Sequence, residues 1–351
     1  MTRWRALIGA GAAALTLSGC AAAVLAPVAA GSAVGLATQP HGNGAPKTDS
    51  APRQAASSQG APAPLVRGPG VPPPGGLMAT PVPPGMQYLY GSAEAAAQQR
   101  QTYLELADYL IAKSSDRAVG HEVKSVVLAP GSTLDHPVFE PCGAKPLAVV
   151  LDVDETALLN YGFEGDQVLR GGVYDAQRWN DWEKTGQGKV KPVPGVIDAL
   201  DVARRAGVTV VFNSNRLAAN ADATAATIEA AGLGKVKHLD TLWLAGDAGG
   251  GSGKDARRWA ISALYCVVAQ VGDQLGDFTD LFNAPGLSLE QRRAAIGGPY
   301  FEIMWGQGWF MLPNPVYGTA LKGDYGAVFP PGTRWTDPVV PITPIAIGSS
   351  N

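Results

Sequence analysis

The residues best suited to chemistry fall in four short runs along the chain. The first is Asp152-Val153-Asp154-Glu155-Thr156, directly after the apolar run Leu147-Ala148-Val149-Val150-Leu151. Carboxylates at i and i+2 leave a strand end on the same side, close enough to share a cation. Their mutual repulsion is costly unless metal or phosphate chemistry uses it. The second run, Asn213-Ser214-Asn215-Arg216, sets a hydroxyl, an amide and a cation behind the apolar stretch 208–212. Third, Lys254 opens a helical segment after the Gly-rich stretch 249–253. Fourth, Gly272-Asp273-Gln274-Leu275-Gly276-Asp277 puts carboxylates straight after the apolar stretch 265–271. Such carboxylates can bind a hard cation such as Mg²⁺ through oxygen. The Ser214 hydroxyl, the Asn215 amide and the Lys254 ammonium can hold phosphate oxygens, leaving one Asp to attack phosphorus and another to handle protons.

Something must bring these runs together, and the apolar pattern supplies it. Short continuous apolar runs at 147–151, 208–212, 241–245 and 265–271 have the look of strands buried on both faces. Helical segments separate them: 195–206 closed by Gly207, 221–231 closed by Gly232, and 254–264. Strands alternating with helices predict a parallel sheet covered on both faces, with ligands beyond the carboxyl ends of its strands. Upstream, Ser92 can cap a helix through about Lys113, on which Tyr103, Leu104, Ala107, Leu110 and Ile111 recur at helical spacing. The insert 157–194 is too long for a strand-to-helix turn and carries Tyr161, Phe163, Tyr174, Trp179 and Trp182. Most aromatics pack a core, but a small cap over the strand ends would need flat rings to line it.

The chain has 351 residues with Lys plus Arg 27 and Asp plus Glu 30, a net charge of −3, so no basic footprint for a nucleic-acid polymer. Gly (44) and Pro (28) make up about a fifth of it, well above average usage. The excess is concentrated at the N-terminus. Residues 1–20 read as an export signal: Arg3 and Arg5 lead an apolar stretch to Leu17, and Leu17-Ser18-Gly19-Cys20 resembles the lipobox of bacterial lipoproteins, with Cys20 as the lipidated residue. Residues 21–85 are mostly Ala, Gly, Pro and Ser with scattered charges and no hydrophobic period, which predicts a disordered tether. The folded domain is expected over 86–345.

Two patterns are decoys. The glycine run before Lys254 imitates a phosphate-binding loop, but Ala248 and Asp255 stand where that loop needs Gly and a hydroxyl. The four histidines (41, 121, 136, 238) have no metal-ligand spacing, and no Gly-x-Ser-x-Gly elbow exists.

The ordered set resembles the haloacid dehalogenase superfamily of phosphohydrolases: Asp-x-Asp-x-Thr at Asp152, Asp154 and Thr156, then Ser214, then Lys254, then Asp273 and Asp277. More closely it looks like the class C acid phosphatases, the lipoprotein e (outer-membrane 5′-nucleotidase) family. Shared features are Asp-Val-Asp-Glu-Thr, Ser-Asn-Arg, Val193-Pro194-Gly195, Gly-Asp-Gln-Leu-Gly-Asp-Phe and the segment from Met311 to Gly318. The resemblance implies a three-layer α/β/α sandwich with a parallel sheet and a small cap inserted after the first strand. It implies Asp152 as nucleophile forming an aspartyl-phosphate, and Asp154 as acid and then base. Mg²⁺ would sit on the Asp152 carboxylate, the Asp154 backbone carbonyl and Asp273, with Asp277 further out. Trp179 and Tyr317 would stack on a substrate ring, with Leu159 the second cap contact.

The implied function is a Mg²⁺-dependent acid phosphatase acting on small phosphate esters such as 5′-nucleotides, held by lipid at the outer membrane and facing the periplasm. The alternatives are a non-catalytic binding lipoprotein on the same fold and a phosphotransferase. In the resembled fold the strands carrying Asp152 and Asp273 are neighbours, which brings Cys142 and Cys266 toward the opposite edge. A disulfide there and two reduced thiols are both open, the bridge being narrowly favoured.

Overall fold

The computed structural model describes residues 80–336 except 250, together with 338 and 339. The expected signal peptide, Cys20 and nearly all of the tether lie outside the described residues. Among the described residues seven strands run in chain order: β1 (Leu147–Leu151), β2 (Leu158–Leu159), β3 (Lys191–Pro192), β4 (Thr209–Leu217), β5 (Leu242–Ala245), β6 (Cys266–Gly272) and β7 (Trp309–Met311). Five of them form one all-parallel sheet in the order β5-β4-β1-β6-β7, and β2 pairs antiparallel with β3.

β1 lies at the centre because every residue of it is buried. Its side chains alternate between two cores, as the strand period of two requires. Leu147, Val149 and Leu151 face one cluster with Tyr103, Leu106, Leu200 and Phe212. Ala148 and Val150 face another with Ile261, Phe278, Phe282 and Trp309. The helices Ala93–Ala118 and Val196–Arg205 cover the first face and Asp255–Leu264 the second. The result is the three-layer α/β/α architecture expected from the sequence.

Several boundaries differ from the expectation. The long helix is capped by Ser92, whose hydroxyl accepts from the Ala95 N–H at 3.0 Å, but it continues to Ala118. Leu104 and Ile111 face solvent, and Leu106 takes the buried position instead. Pro84–Met86 already forms a helical turn, so regular structure begins just before residue 86. β4 runs through Asn213, Ser214 and Arg216 to Leu217, so the second run is part of the strand rather than beyond it. β7 was not foreseen, because three residues carry no measurable period.

The insert after β1 forms the cap: the β2–β3 ladder with helices Tyr161–Leu169 and Ala176–Thr185. Asp175 starts the second helix by accepting from the Arg178 N–H at 2.8 Å. Phe163 holds the two helices together, edge-on to Trp179 at 4.8 Å between ring centres and tilted against Trp182 at 6.1 Å. At the far edge of the sheet Cys142 and Cys266 are joined in a disulfide with Cα atoms 4.5 Å apart, bridging 124 positions of sequence.

Candidate active site

The carboxyl ends of β1, β4 and β6 bring the four runs together. Oxygens of Asp152, Asp273 and Asp277 lie within 4.8 Å of one another, all three residues buried. This is the one group of three possible metal ligands among the described residues. Lys254 is buried among them and donates to both Asp152 Oδ1 and, at 2.7 Å, Asp277 Oδ1. Gly272 ends β6 as glycine for a steric reason: a Cβ there would lie 2.2 Å from the Asp277 Cβ.

Each carboxylate is held by identifiable donors. Asp273 accepts from the Thr156 hydroxyl at 2.8 Å, the Asn314 amide at 2.8 Å and the Gln274 amide at 3.1 Å. The second oxygen of Asp277 accepts from the Gln274 backbone N–H at 2.8 Å. The Asp154 side chain turns to other partners. Arg216 donates to it through Nη2 at 2.7 Å and Nε at 3.1 Å, and Asn160 at 3.0 Å. β1 ends at Leu151, and the turn that follows sends the Asp154 side chain to Arg216, in keeping with the expectation that a cation would meet only its backbone carbonyl. Only the backbone of Asp154 remains available to a cation.

Burial and crowding set the electrostatics. Burial pushes the Asp152 carboxyl well above the usual range, against the opposing pull of Lys254 and with the help of Asp277, Asp273 and Asp154. Asp273 is pushed up to about 7 by burial and by Asp277. Burial disfavours the Lys254 ammonium, but Asp152 and Asp277 outweigh it and hold its pKa above the ordinary value. The donors are all hard carboxylate oxygens, with three acids against one ammonium. That set suits a divalent cation, which would relieve the repulsion.

Lys254 is placed by a second network. The Asp280 carboxylate accepts from the backbone N–H of Lys254 at 2.8 Å and of Asp255 at 2.9 Å, which occupies the start of the helix. The fully buried Arg258 donates to Asp255 at 2.6 Å and to the Gly276 and Asp277 carbonyls at 2.9 and 3.0 Å. Just before Lys254, the Ser252 carbonyl accepts from Asn215 and the Gly253 carbonyl from Arg257.

The remaining candidates separate. Ser214 is fully buried, and its hydroxyl accepts from the Arg216 N–H at 3.0 Å. Asn215 points to the other side of β4, where it accepts from Arg257 at 2.5 Å and donates to the Ser252 carbonyl at 3.1 Å. Trp179 sits with the Arg216 guanidinium 6.0 Å from its ring centre. Tyr317 keeps 37% of its surface exposed while its hydroxyl donates to Glu155. Leu159 is 3% exposed and belongs to the core, so it is not a surface of the cap.

Sequence reasoning passed over Glu155, a fully buried residue in the left-handed region at φ 58. It accepts from Tyr90 at 2.7 Å, from the Asn160 backbone and side chain at 3.0 Å each, and from Tyr317. Burial, with the Asp154 charge, pushes its carboxyl up to about 7. The roles of Arg216, Asn160 and Asn314 were also missed, although Arg216 and Asn314 stood inside the runs that were singled out. Of the described histidines, His238 pairs with Asp247 at 2.8 Å and His121 with Asp116 at 3.5 Å.

A family model for the HAD superfamily, subfamily IIIB (acid phosphatase), matches residues 92–320. The chain belongs to this family. The class C acid phosphatase from Bacillus anthracis is similar at 26% identity and a TM-score of 0.51, covering 67% of this chain and 84% of that chain. The tungstate-bound form of the class C acid phosphatase from the same organism is similar at 25% identity and a TM-score of 0.50, with the same coverage. As a subfamily IIIB acid phosphatase the protein is a phosphomonoesterase, and its substrate class is small phosphate esters. The matched span contains every residue of the carboxylate cluster, both helices of the cap and Tyr317.

Proposed function

We propose that this acid phosphatase hydrolyses 5′-nucleotides and related phosphomonoesters through an aspartyl-phosphate on Asp152, with Mg²⁺ as its cation. The observation that carries the reading is the Asp152 carboxylate held by Lys254 within the buried Asp152–Asp273–Asp277 cluster. Asp152 and Asp273, with the Asp154 backbone carbonyl, would hold Mg²⁺, and Asp277 would stay outside, since its oxygens already serve Lys254 and Gln274. When bound, the cation supplies charge neutralisation to the phosphoryl oxygens.

The protein's own groups do the rest. Asp152 attacks phosphorus in line, and the ester oxygen leaves with a proton from Asp154. Asp154 then takes a proton from water, which attacks the acyl-phosphate and frees Asp152. Arg216 and Asn160 keep the Asp154 carboxyl aimed throughout. Lys254 and Ser214 neutralise and orient the transferring group, where positioning supplies most of the catalysis. The tungstate held by the Bacillus anthracis relative is a tetrahedral oxyanion of phosphate's shape, which supports an oxyanion site in this fold. The partly exposed ring of Tyr317 and that of Trp179 support a flat leaving group such as a nucleoside.

Anchoring through a lipidated Cys20 at the outer membrane is part of the same proposal, supported by Leu17-Ser18-Gly19 before it. No helix among the described residues is long and apolar enough to cross a membrane. A phosphate-release panel of nucleoside monophosphates, nicotinamide mononucleotide and sugar phosphates, with chelator and with Mg²⁺, tests the reading. Nucleotides are expected to lead, and activity to vanish with chelator and return with Mg²⁺. Turnover indifferent to chelator would overturn the cation's role, and equal rates on all esters would overturn the nucleotide preference.

A further inference from the structure

Gln274, which bonds Asp273, also lines a cavity of about 590 Å³ that plays no part in the chemistry above. Its walls are apolar: Leu275, Leu289, Ile296, Trp305, Met311 and Val328. Three cations line it as well, Arg292, Arg293 and Lys322, and no carboxylate does. One wall is the helix Leu289–Ile296, and the segment carrying Lys322 and Val328 lies against it. That contact is close: Gly323 adopts φ 114, and a Cβ there would lie 2.4 Å from Leu289 Cδ1.

The cations are not equivalent. Arg292 is spent on the fold, donating to the Phe282 carbonyl at 3.1 Å and the Thr319 hydroxyl at 2.7 Å. Arg293 and Lys322 are exposed and pair with no carboxylate among the described residues. The nearest acid in sequence to Lys322, Asp324, caps the Ala327 N–H at 2.8 Å. An apolar interior with two unpaired cations at its rim complements one kind of molecule. A neutral hydrocarbon would leave both charges unused, and a cationic amphiphile would be repelled.

We propose that this cavity binds a single-chain amphiphilic anion, its alkyl chain against the apolar walls and its carboxylate or phosphate head on Arg293 and Lys322. The volume lies within the range of small-molecule sites. Both cations can keep their aliphatic stems on apolar surface while the charged ends meet the head group.

Calorimetric titration of the enzyme with monomeric dodecanoate, beside dodecyltrimethylammonium as the opposite charge, tests this. Dodecanoate is expected to bind saturably at one site, and the cation at least about tenfold more weakly. The double variant Arg293→Glu, Lys322→Glu should weaken dodecanoate by about tenfold or more. Hydrolysis of para-nitrophenyl phosphate should stay unchanged, showing that the fold is intact. Titration with monomeric lauroyl lysophosphatidylglycerol beside dodecanoate separates the sources of the chain. Tighter binding of the lysophospholipid, lost in the double variant, assigns the cavity to a single-chain membrane lipid, and tighter binding of dodecanoate assigns it to a free fatty acid. Equal affinity for the two detergents, or a double variant that binds dodecanoate as the wild type does, overturns the proposal.

Discussion

Arg216 grips Asp154 at two points, Nη2 lying 2.7 Å from Oδ1 and Nε 3.1 Å from each carboxylate oxygen. Both partners are buried, and 62 positions of sequence separate them. The pair therefore ties β4 to the turn after β1, the two elements that the proposed reaction needs in register. Removing the arginine leaves a buried carboxylate without its partner. Arg216→Ala is expected to destabilise the protein by about 3–5 kcal/mol. Arg216→Lys keeps the charge but not the two-point hold, so it should lose less stability yet still lose turnover. Urea unfolding beside steady-state kinetics measures both; a lysine variant with wild-type kcat would exclude a positioning role.

Asp152→Asn keeps the shape of the side chain and leaves Lys254 its contact to Asp277. Turnover should fall by about a thousandfold or more, since a missing nucleophile is not compensated by binding groups. Circular dichroism and thermal unfolding should match the wild type. Retained phosphate release in this variant would refute an aspartyl-phosphate.

The metal-free protein should lose stability as pH rises. Asp273 and Glu155 are pushed up to about 7 in the folded state, above the ordinary carboxyl range. Between about pH 4 and pH 7 the folded protein then binds more protons than the unfolded chain, so stability falls through that window and levels off above it. In chelator, Tm at pH 8 is expected to lie below Tm at pH 5. Millimolar Mg²⁺ should raise Tm most at pH 8, where the cluster is most negative. Calorimetric scans at the two pH values decide it, and a Tm rising with pH in chelator would contradict the burial of these carboxyls.

Tyr317→Ala removes a ring that stands partly free while its hydroxyl is fixed by Glu155. Loss of a base–aromatic stack costs about 1–3 kcal/mol, so KM for nucleotides should rise by tenfold or so while a ringless ester is little affected. Tyr317→Phe keeps the ring and should keep most of the nucleotide affinity. Equal losses on both substrate types would reduce Tyr317 to a structural residue.

Replacing Cys142 and Cys266 by serine should cost about 2–5 kcal/mol of unfolding free energy, because the bridge closes a long loop in the unfolded chain. The bridge lies at the edge opposite the catalytic cluster, so kcat is expected to hold in the folded variant. Denaturant titration of oxidised, reduced and double-serine protein provides the comparison.

The sequence by itself determined the α/β class, the four runs of polar residues and the apolar strands that lead into three of them. Asp152 and Asp273 each directly follow a strand whose apolar pattern is near-continuous, and β1 was bounded to the residue because burial on both faces leaves no polar position inside it. The three-residue β7 was invisible, since its strand character comes from pairing with β6 and not from its own pattern.

What only the tertiary structure decided is where each polar side chain is spent. Asp154 and Asp152 look equivalent in sequence, yet one meets Arg216 and the other Lys254. Asn215 adjoins Ser214 but serves Arg257, and Glu155 gathers donors from Tyr90, Asn160 and Tyr317. The reason is physical: a buried charge or amide must find its partner within about 3 Å, and that partner comes from whichever distant segment the packed core brings alongside. Apolar burial is written in local periodicity, whereas polar pairing is fixed only once the layers have closed.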